Sequence, residues 1–203
     1  KKIDGDGKEE IIFNGPEMAQ GYVYYGIGNQ TISENNKLMA FAIDTVSRRR
    51  YNISFKNLET GEILSDNLSN TSGSATWAND NKTMFYAMKD AVTLRSHKIF
   101  KHKLHTASQL DSEVYHEEDE TFNTFVYKTK SKKYIVIGSS STLTSEYRFL
   151  DADFPDEGFR VFQERTVGLE YNIAHYKDDF YIISNADKST NFKVSKTSTS
   201  KTK

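Results

Sequence analysis

No cysteine occurs in the 203-residue chain, which excludes disulfides, thiolate-held metals and a cysteine nucleophile together. Proline is nearly as scarce, at two residues, so little interrupts extended backbone. No apolar run approaches the roughly 20 residues that a membrane-spanning helix needs. Lys1-Lys2-Ile3-Asp4 opens onto polar sequence, so no secretory leader is expected. Neither sign of charge is in excess: 27 Lys and Arg face 28 Asp and Glu, a formal net charge of -1. Nothing therefore draws the chain to nucleic acid or to an anionic membrane surface. The expected setting is a reducing one, the cytoplasm, with the periplasm as the alternative.

What the chain does hold is aromatic residues, 12 Tyr and 13 Phe, in a composition 36% hydrophobic and 27% charged. That mixture suits a folded, strand-rich chain with a real core. Four segments resemble one another, each with a polar turn leading into an apolar strand. The turns are Ser33–Asn36, Ala78–Asn81, Thr129–Lys132 and Tyr176–Asp179, and the strands are Leu38–Ile43, Thr83–Met88, Tyr134–Ile137 and Phe180–Ile183. Asn, Asp and Ser suit such turns because they tolerate left-handed backbone and bond their own main chain. Third strands recur at Tyr51–Phe55, Lys98–His102, Glu146–Phe149 and Asn191–Val194, and fourth strands at Glu62–Leu64, Glu113–Tyr115 and Arg160–Phe162.

Leu58, Leu104 and Leu150 close the third strands at an even spacing of 46 positions. Four strands per repeat at that period is the pattern of propeller blades, with a β-sandwich as the competing all-β arrangement. The expected fold is an all-β partial β-propeller of about four four-stranded antiparallel blades. It fills residues 1–198, with an orphan strand at 9–14, blades at about 22–66, 73–117, 122–164 and 169–198, and a polar tail at 199–203. Propellers close with about 4–8 blades, so the ragged ends read as a piece cut from a longer chain. Uncovered blade flanks would then favour self-association.

In such blades the loop between strands two and three shares a face with the loop to the next blade. That face collects Ser47-Arg48-Arg49-Arg50, Val92–Arg95, Ser139–Thr142, Asp187–Thr190 and the acidic Glu117-Glu118-Asp119-Glu120. Loops of uneven length carry binding more often than tight hairpins do, while each charge run by itself also reads as a solvated loop.

The chemical motifs do not complete themselves. Gly26-Ile27-Gly28 has Thr31 where a dinucleotide fingerprint needs its third glycine, and reads as a strand. Asp4-Gly5-Asp6-Gly7 begins like a calcium loop, but Lys8 and Gly15 stand where ligands are required, so a hairpin turn is expected. His102 and His105, three apart on a strand, point to opposite faces and are expected, with His116, to be ordinary surface histidines. Gly138-Ser139-Ser140-Ser141-Thr142 lacks the flanking glycines of a nucleophile elbow. No catalytic residue, metal ligand or cofactor is assigned.

Several strings nevertheless resemble a known propeller. Asp44–Arg49 running through Phe55–Gly61, Trp77–Asp80 through Val92–Arg95, Ser145–Ala152 and the acidic Tyr115–Phe122 are similar to the oligopeptidase B (protease II) branch of the prolyl oligopeptidase family. The resemblance implies a serine peptidase parent whose α/β-hydrolase domain, bearing a Ser-Asp-His triad, hydrolyses short peptides after Arg or Lys, while the propeller joined to it excludes folded proteins. It implies that Arg49 pairs with an acidic residue of that catalytic domain. Arg48 and Arg95, on the same rim, are assigned with it to interdomain contact, and Glu117, Glu118, Asp119 and Glu120 to the rim of substrate access. Tyr22 departs from relatives that carry an acidic interdomain residue there. The chain alone is expected to be inactive. The alternative is a free-standing propeller that binds a protein or ligand on its own face.

Overall fold

In the computed structural model, which describes residues 9–202, fourteen strands form three antiparallel sheets of seven, four and three strands. The stretch Asp4–Gly7, read as a hairpin turn, lies outside the described residues. A four-residue helix α1 (Gly15–Met18), capped by the Asn14 side chain and started by Pro16, precedes the strands. The first sheet runs in chain order through β1 (Gly26–Ile32), β2 (Leu38–Asp44), β3 (Tyr51–Asn57), β4 (Ile63–Trp77), β5 (Thr83–Lys89), β6 (Ser96–Lys103) and β7 (Ser112–His116). The second holds β8 (Asn123–Lys128), β9 (Tyr134–Ser140), β10 (Ser145–Asp151) and β11 (Arg160–Val161). The third holds β12 (Tyr171–Tyr176), β13 (Asp179–Ser184) and β14 (Lys193–Ser198).

The seven-stranded sheet is two repeats joined through one long strand. The first half of β4 pairs with β3, its second half pairs with β5, and Thr71 faces both Tyr51 and Met88. Irregular register on either side of that corner, with Asn70 at φ 61° and Gly73 at φ 83°, lets the strand turn from one repeat into the next. The expected turns appear with the backbone they require: Asn36, Asn81, Lys132 and Lys177 sit at φ 60°, 58°, 64° and 55°. The Ser33 hydroxyl accepts from Leu38 N, the Asp80 carboxylate from Thr83 N, and the Thr129 hydroxyl from Tyr134 N.

Alternation along the strands builds the core. Met84 and Tyr86 of β5 face back onto Ile53, Phe55 and Leu68, while Phe85 and Ala87 face forward onto Ile135 and Ile137. Tyr134 and Val136 then point the other way, onto Tyr171, Ile173 and Phe180. The second strand of a repeat thus has both faces covered, which is why Leu38–Ile43, Thr83–Met88 and Tyr134–Ile137 read as unbroken apolar runs. Successive repeats are stitched at equivalent positions 46 apart. Asn29 Nδ2 donates to Ala75 O, Asn35 N to Asn81 Oδ1, Trp77 Nε1 to Thr31 O, and the Tyr127 hydroxyl to Ile173 O.

Two expectations are corrected. Residues 9–14 form no strand: the Ile12 carbonyl takes its hydrogen bond from Lys56 Nζ and Phe13 packs edge-on against Phe41, because no neighbouring strand offers a ladder. The third strand of the last repeat starts at Lys193 and runs through the polar Ser195–Ser198. It is shifted from Asn191–Val194 because Phe192 takes φ 59° and pairing with β13 fixes the register.

Candidate functional site: the loop face and the inner-strand cavity

Thr71 marks the end of the sheet at which the loops gather, since β2 and β5 both finish there and β3 and β6 both start there. The loop after β2 is built on Asp44, which is buried and accepts from Val46 N at 2.9 Å, Arg48 N at 2.9 Å and Arg49 N at 2.6 Å. Ser47 and Arg49 are held at φ 57° and 50° by that cage. The side chains of Arg48, Arg49 and Arg50 are left exposed, with Arg50 Nε donating to Asn70 Oδ1. Among the described residues neither Arg48 nor Arg49 forms an ion pair with a carboxylate. Lys89 stands beside them. Its burial, then the Arg49 charge, depress its ammonium pKa, and Asp44 only partly offsets this.

Arg95 is turned inward instead. Its Nη1 donates to the carbonyls of Asp119 and Phe122 at 3.1 and 2.9 Å, and its Nη2 to that of Glu117 at 3.1 Å. It clasps the acidic loop rather than projecting from the rim. Glu117 also differs from the expected role. It is 3% exposed, and its carboxylate takes the Arg165 guanidinium, the Tyr115 hydroxyl and Asp119 N. Burial would raise its pKa, but these donors outweigh burial and hold it at about 2. Glu118, Asp119 and Glu120 remain exposed on the loop so fixed. Glu146, buried at the start of β10, joins the group by accepting from Arg165 N and pairing with Arg148, whose guanidinium lies 4.4 Å from the centre of the Tyr115 ring.

Between the repeats, β1, the second half of β4 and β8 line a cavity of about 660 Å³. Its wall mixes polar residues, Asn29, Gln30, Thr31, Ser72 and Ser74, with the apolar Trp77, Phe125 and Val126. Gly28 lines this wall and lies in β1, as the strand reading of Gly26–Gly28 expects, and a Cβ there would meet the Tyr51 ring at 2.7 Å. Gly138–Ser140 lies within the β9 ladder, with no turn into a helix.

His102 is the residue that sequence reasoning missed. It is buried at 0% exposure rather than on the surface, with Nδ1 2.7 Å from Asp111 Oδ1 and Nε2 3.2 Å from Asp66 Oδ1. The alternation of β6 turns it inward, while His105 and His116 are exposed as expected. Asp66 lies 36 residues before His102 and Asp111 nine residues after it, beyond the end of β6, so no regular spacing signalled the group. Burial alone would lower the His102 pKa, but Asp111 and Asp66 raise it, and both ring nitrogens lie within hydrogen-bond reach of a carboxylate oxygen, an arrangement that a doubly protonated ring satisfies.

Stacked, stitched antiparallel repeats with an inner-strand cavity and a loop face define a β-propeller type of domain. Residues 1–203 match the family described as prolyl oligopeptidase, N-terminal beta-propeller domain, and the chain belongs to that family. It is 38% identical over 92% of its length to dipeptidyl aminopeptidase BI of Pseudoxanthomonas mexicana and 31% identical over 89% to Protease 2 of Moraxella lacunata. It spans 26% of the length of each of these relatives. Among solved structures it superposes on oligopeptidase B of Leishmania major with a TM-score of 0.91 at 25% identity, covering 98% of this chain and 28% of that one. Oligopeptidase B of Trypanosoma brucei, with covalently bound antipain in a closed form, gives 0.87 at 26% identity, covering 99% and 28%.

Proposed function

We propose that the chain is a run of four consecutive propeller blades, at about 22–66, 73–117, 122–164 and 169–198, that caps the catalytic α/β-hydrolase domain of a serine oligopeptidase. In this reading it admits short peptides, rejects folded proteins by size, and makes no bond-breaking contribution itself. The loop face is the docking surface. The observation that carries this is the Arg48–Arg49 pair, exposed on a loop that Asp44 locks into strained backbone and unmatched by any carboxylate among the described residues. A rigid, uncompensated cationic tip suits an acidic patch on a facing domain, where the pair's net worth depends on how much water it loses.

The test is Arg49→Ala in the full-length protein. Altered peptide turnover together with altered domain closure in small-angle scattering supports the docking role. Unchanged kinetic parameters and unchanged closure remove it.

Substrate chemistry has two readings. Resemblance to oligopeptidase B favours cleavage of short peptides after Arg or Lys, whereas the 38% identity to a dipeptidyl aminopeptidase favours release of dipeptides from a free amino terminus. A pair of arginyl amide substrates separates them. Turnover that survives blocking of the amino terminus supports the first, and turnover that needs it free supports the second. The third sheet leaves Tyr181, Ile183 and Val194 exposed on one face, with Ile183 directly opposite Val194 in the ladder. In a closed ring the next blade covers such a face, and in the isolated chain it promotes self-association, which light scattering against concentration reads directly.

A further inference from the structure

One ion cluster in the molecule joins repeats that are not neighbours. Lys128 Nζ, at the end of β8, donates to Glu34 Oε1 at 2.7 Å and to Asn79 Oδ1 at 2.8 Å. Glu34 sits in the turn between β1 and β2, Asn79 in the turn between β4 and β5, and the Glu34–Lys128 bond closes a sequence gap of 94 residues. Lys132 Nζ holds the other Glu34 oxygen at 2.7 Å. The first repeat is thereby tied to the third across the second.

The position of the cluster matters more than its strength. Glu34 and Lys128 both line the inner-strand cavity, on the turn side and away from the loop face, and theirs are the only charged side chains in a wall otherwise neutral. The Lys128 side chain is 10% exposed and that of Glu34 23%, so neither charge is fully solvated and parting them exposes two partly desolvated ions. Burial works to raise the Glu34 pKa, and the two lysines overcome it to hold it below its ordinary value, so Glu34 stays ionised at neutral pH. Asn79 Nδ2 bonds Lys132 O and Asp153 Oδ1, fixing the acceptor that orients Lys128.

We infer that Glu34, Asn79 and Lys128 form a latch at the turn-side end of the inner-strand cavity, and that this latch sets the size of polypeptide the cavity passes. The inference rests on the size-exclusion reading above and names the residues that would set its limit on this side. With the three turns held together, the opening stays narrow. When Lys128 is freed, the third repeat reaches Glu34 only through the exposed Lys132, a contact water screens, and the turns can spread.

The test uses the full-length protein and reads the ratio of kcat/KM for a long unstructured polypeptide to that for a short peptide amide. Lys128→Met and Glu34→Gln raise this ratio by about tenfold, through faster turnover of the long polypeptide with the short peptide unchanged. Lys128→Arg, which keeps the charge and the reach to Glu34, leaves the ratio at the wild-type value. A merely structural role would lower the melting temperature without moving the ratio. If Lys128→Met fails to fold, Glu34→Gln, which keeps volume and a hydrogen-bond acceptor, gives the same readout. A wild-type protein that discriminates by size but whose ratio is untouched in folded variants overturns the latch alone. A wild-type protein that shows no size discrimination overturns the exclusion reading and the latch with it.

Discussion

Arg165 and Glu117 close on each other as a two-pronged pair, Nη1 to Oε1 at 3.2 Å and Nη2 to Oε2 at 2.5 Å, while the guanidinium lies 3.8 Å from the centre of the Phe122 ring. The pair bridges the loop after β7 to the loop after β11 and pins the acidic loop from below. Arg165→Met strands a buried carboxylate, and the expected loss is about 3–5 kcal/mol in chemical denaturation. Glu117→Gln, which keeps the shape, costs less.

Acid sensitivity follows from the same carboxylate. Its folded pKa is depressed from 4.5 to about 2, so its stabilisation is fully present above the unfolded value and is lost as pH falls through that window. At about 1.4 kcal/mol per unit, the contribution is about 3 kcal/mol. Urea midpoints measured between pH 6 and pH 2.5 should fall more steeply for wild type than for Glu117→Gln.

His102 carries the opposite sign. Its folded pKa is raised, so the stabilisation it lends is complete below its unfolded pKa and declines as pH rises through the folded one. The facing groups are Asp66 of β4, Asp111 before β7, the Tyr86 hydroxyl of β5 bonded to Asp111, and His105 N bonded to Asp66, with Phe55 stacked on the ring. His102→Gln should flatten the alkaline limb of the melting-temperature profile. Imidazole shifts followed by NMR should titrate above the ordinary histidine value, and a titration at or below it refutes a doubly protonated ring.

Asp44→Ala removes the acceptor of three backbone N–H groups at once. The expected cost is about 2 kcal/mol. Amide exchange at Val46, Arg48 and Arg49 should accelerate while the β5–β6 ladder keeps its protection. Protection unchanged in the loop would show that its shape does not depend on Asp44.

Gly138→Ala tests close packing within the second sheet. A Cβ at Gly138 would collide with the Phe125 ring, an overpacking expected to cost about 1–3 kcal/mol. Combining it with Phe125→Leu should recover part of the loss, since room is returned on the opposing strand.

The repeat was legible because two physical rules write themselves into the residues. Strands covered on both faces must be apolar throughout, hence Thr83–Met88, and left-handed turn positions select Asn, as at Asn36 and Asn81. The paired strands β2 and β3, β5 and β6, and β9 and β10 could be read for that reason. The orphan strand at 9–14 could not, because a strand exists only through a partner. The site was legible in part: the loops at one end of the sheets were identified, and the side chains of Arg48 and Arg49 are exposed there. Arg95 and Glu117 carry the same charges as their exposed neighbours, and what turns them inward is a carbonyl cage and a distant arginine that composition does not reveal. The Asp66–His102–Asp111 group and the Glu34–Lys128 tie join residues whose separation reflects topology rather than local pattern.

Because β4 serves as the last strand of one repeat and the first of the next, the corner at Thr71 cannot be altered on one side alone. A residue inserted between Asn70 and Gly73 would offset the half of β4 paired with β3 from the half paired with β5, so that unless the corner absorbs it one ladder must slip and turn its inward face outward. The first two repeats are therefore best exchanged as a single cassette, and a junction at 117–122 or 162–170, where one sheet ends before another begins, has to carry Glu117 and Arg165 together.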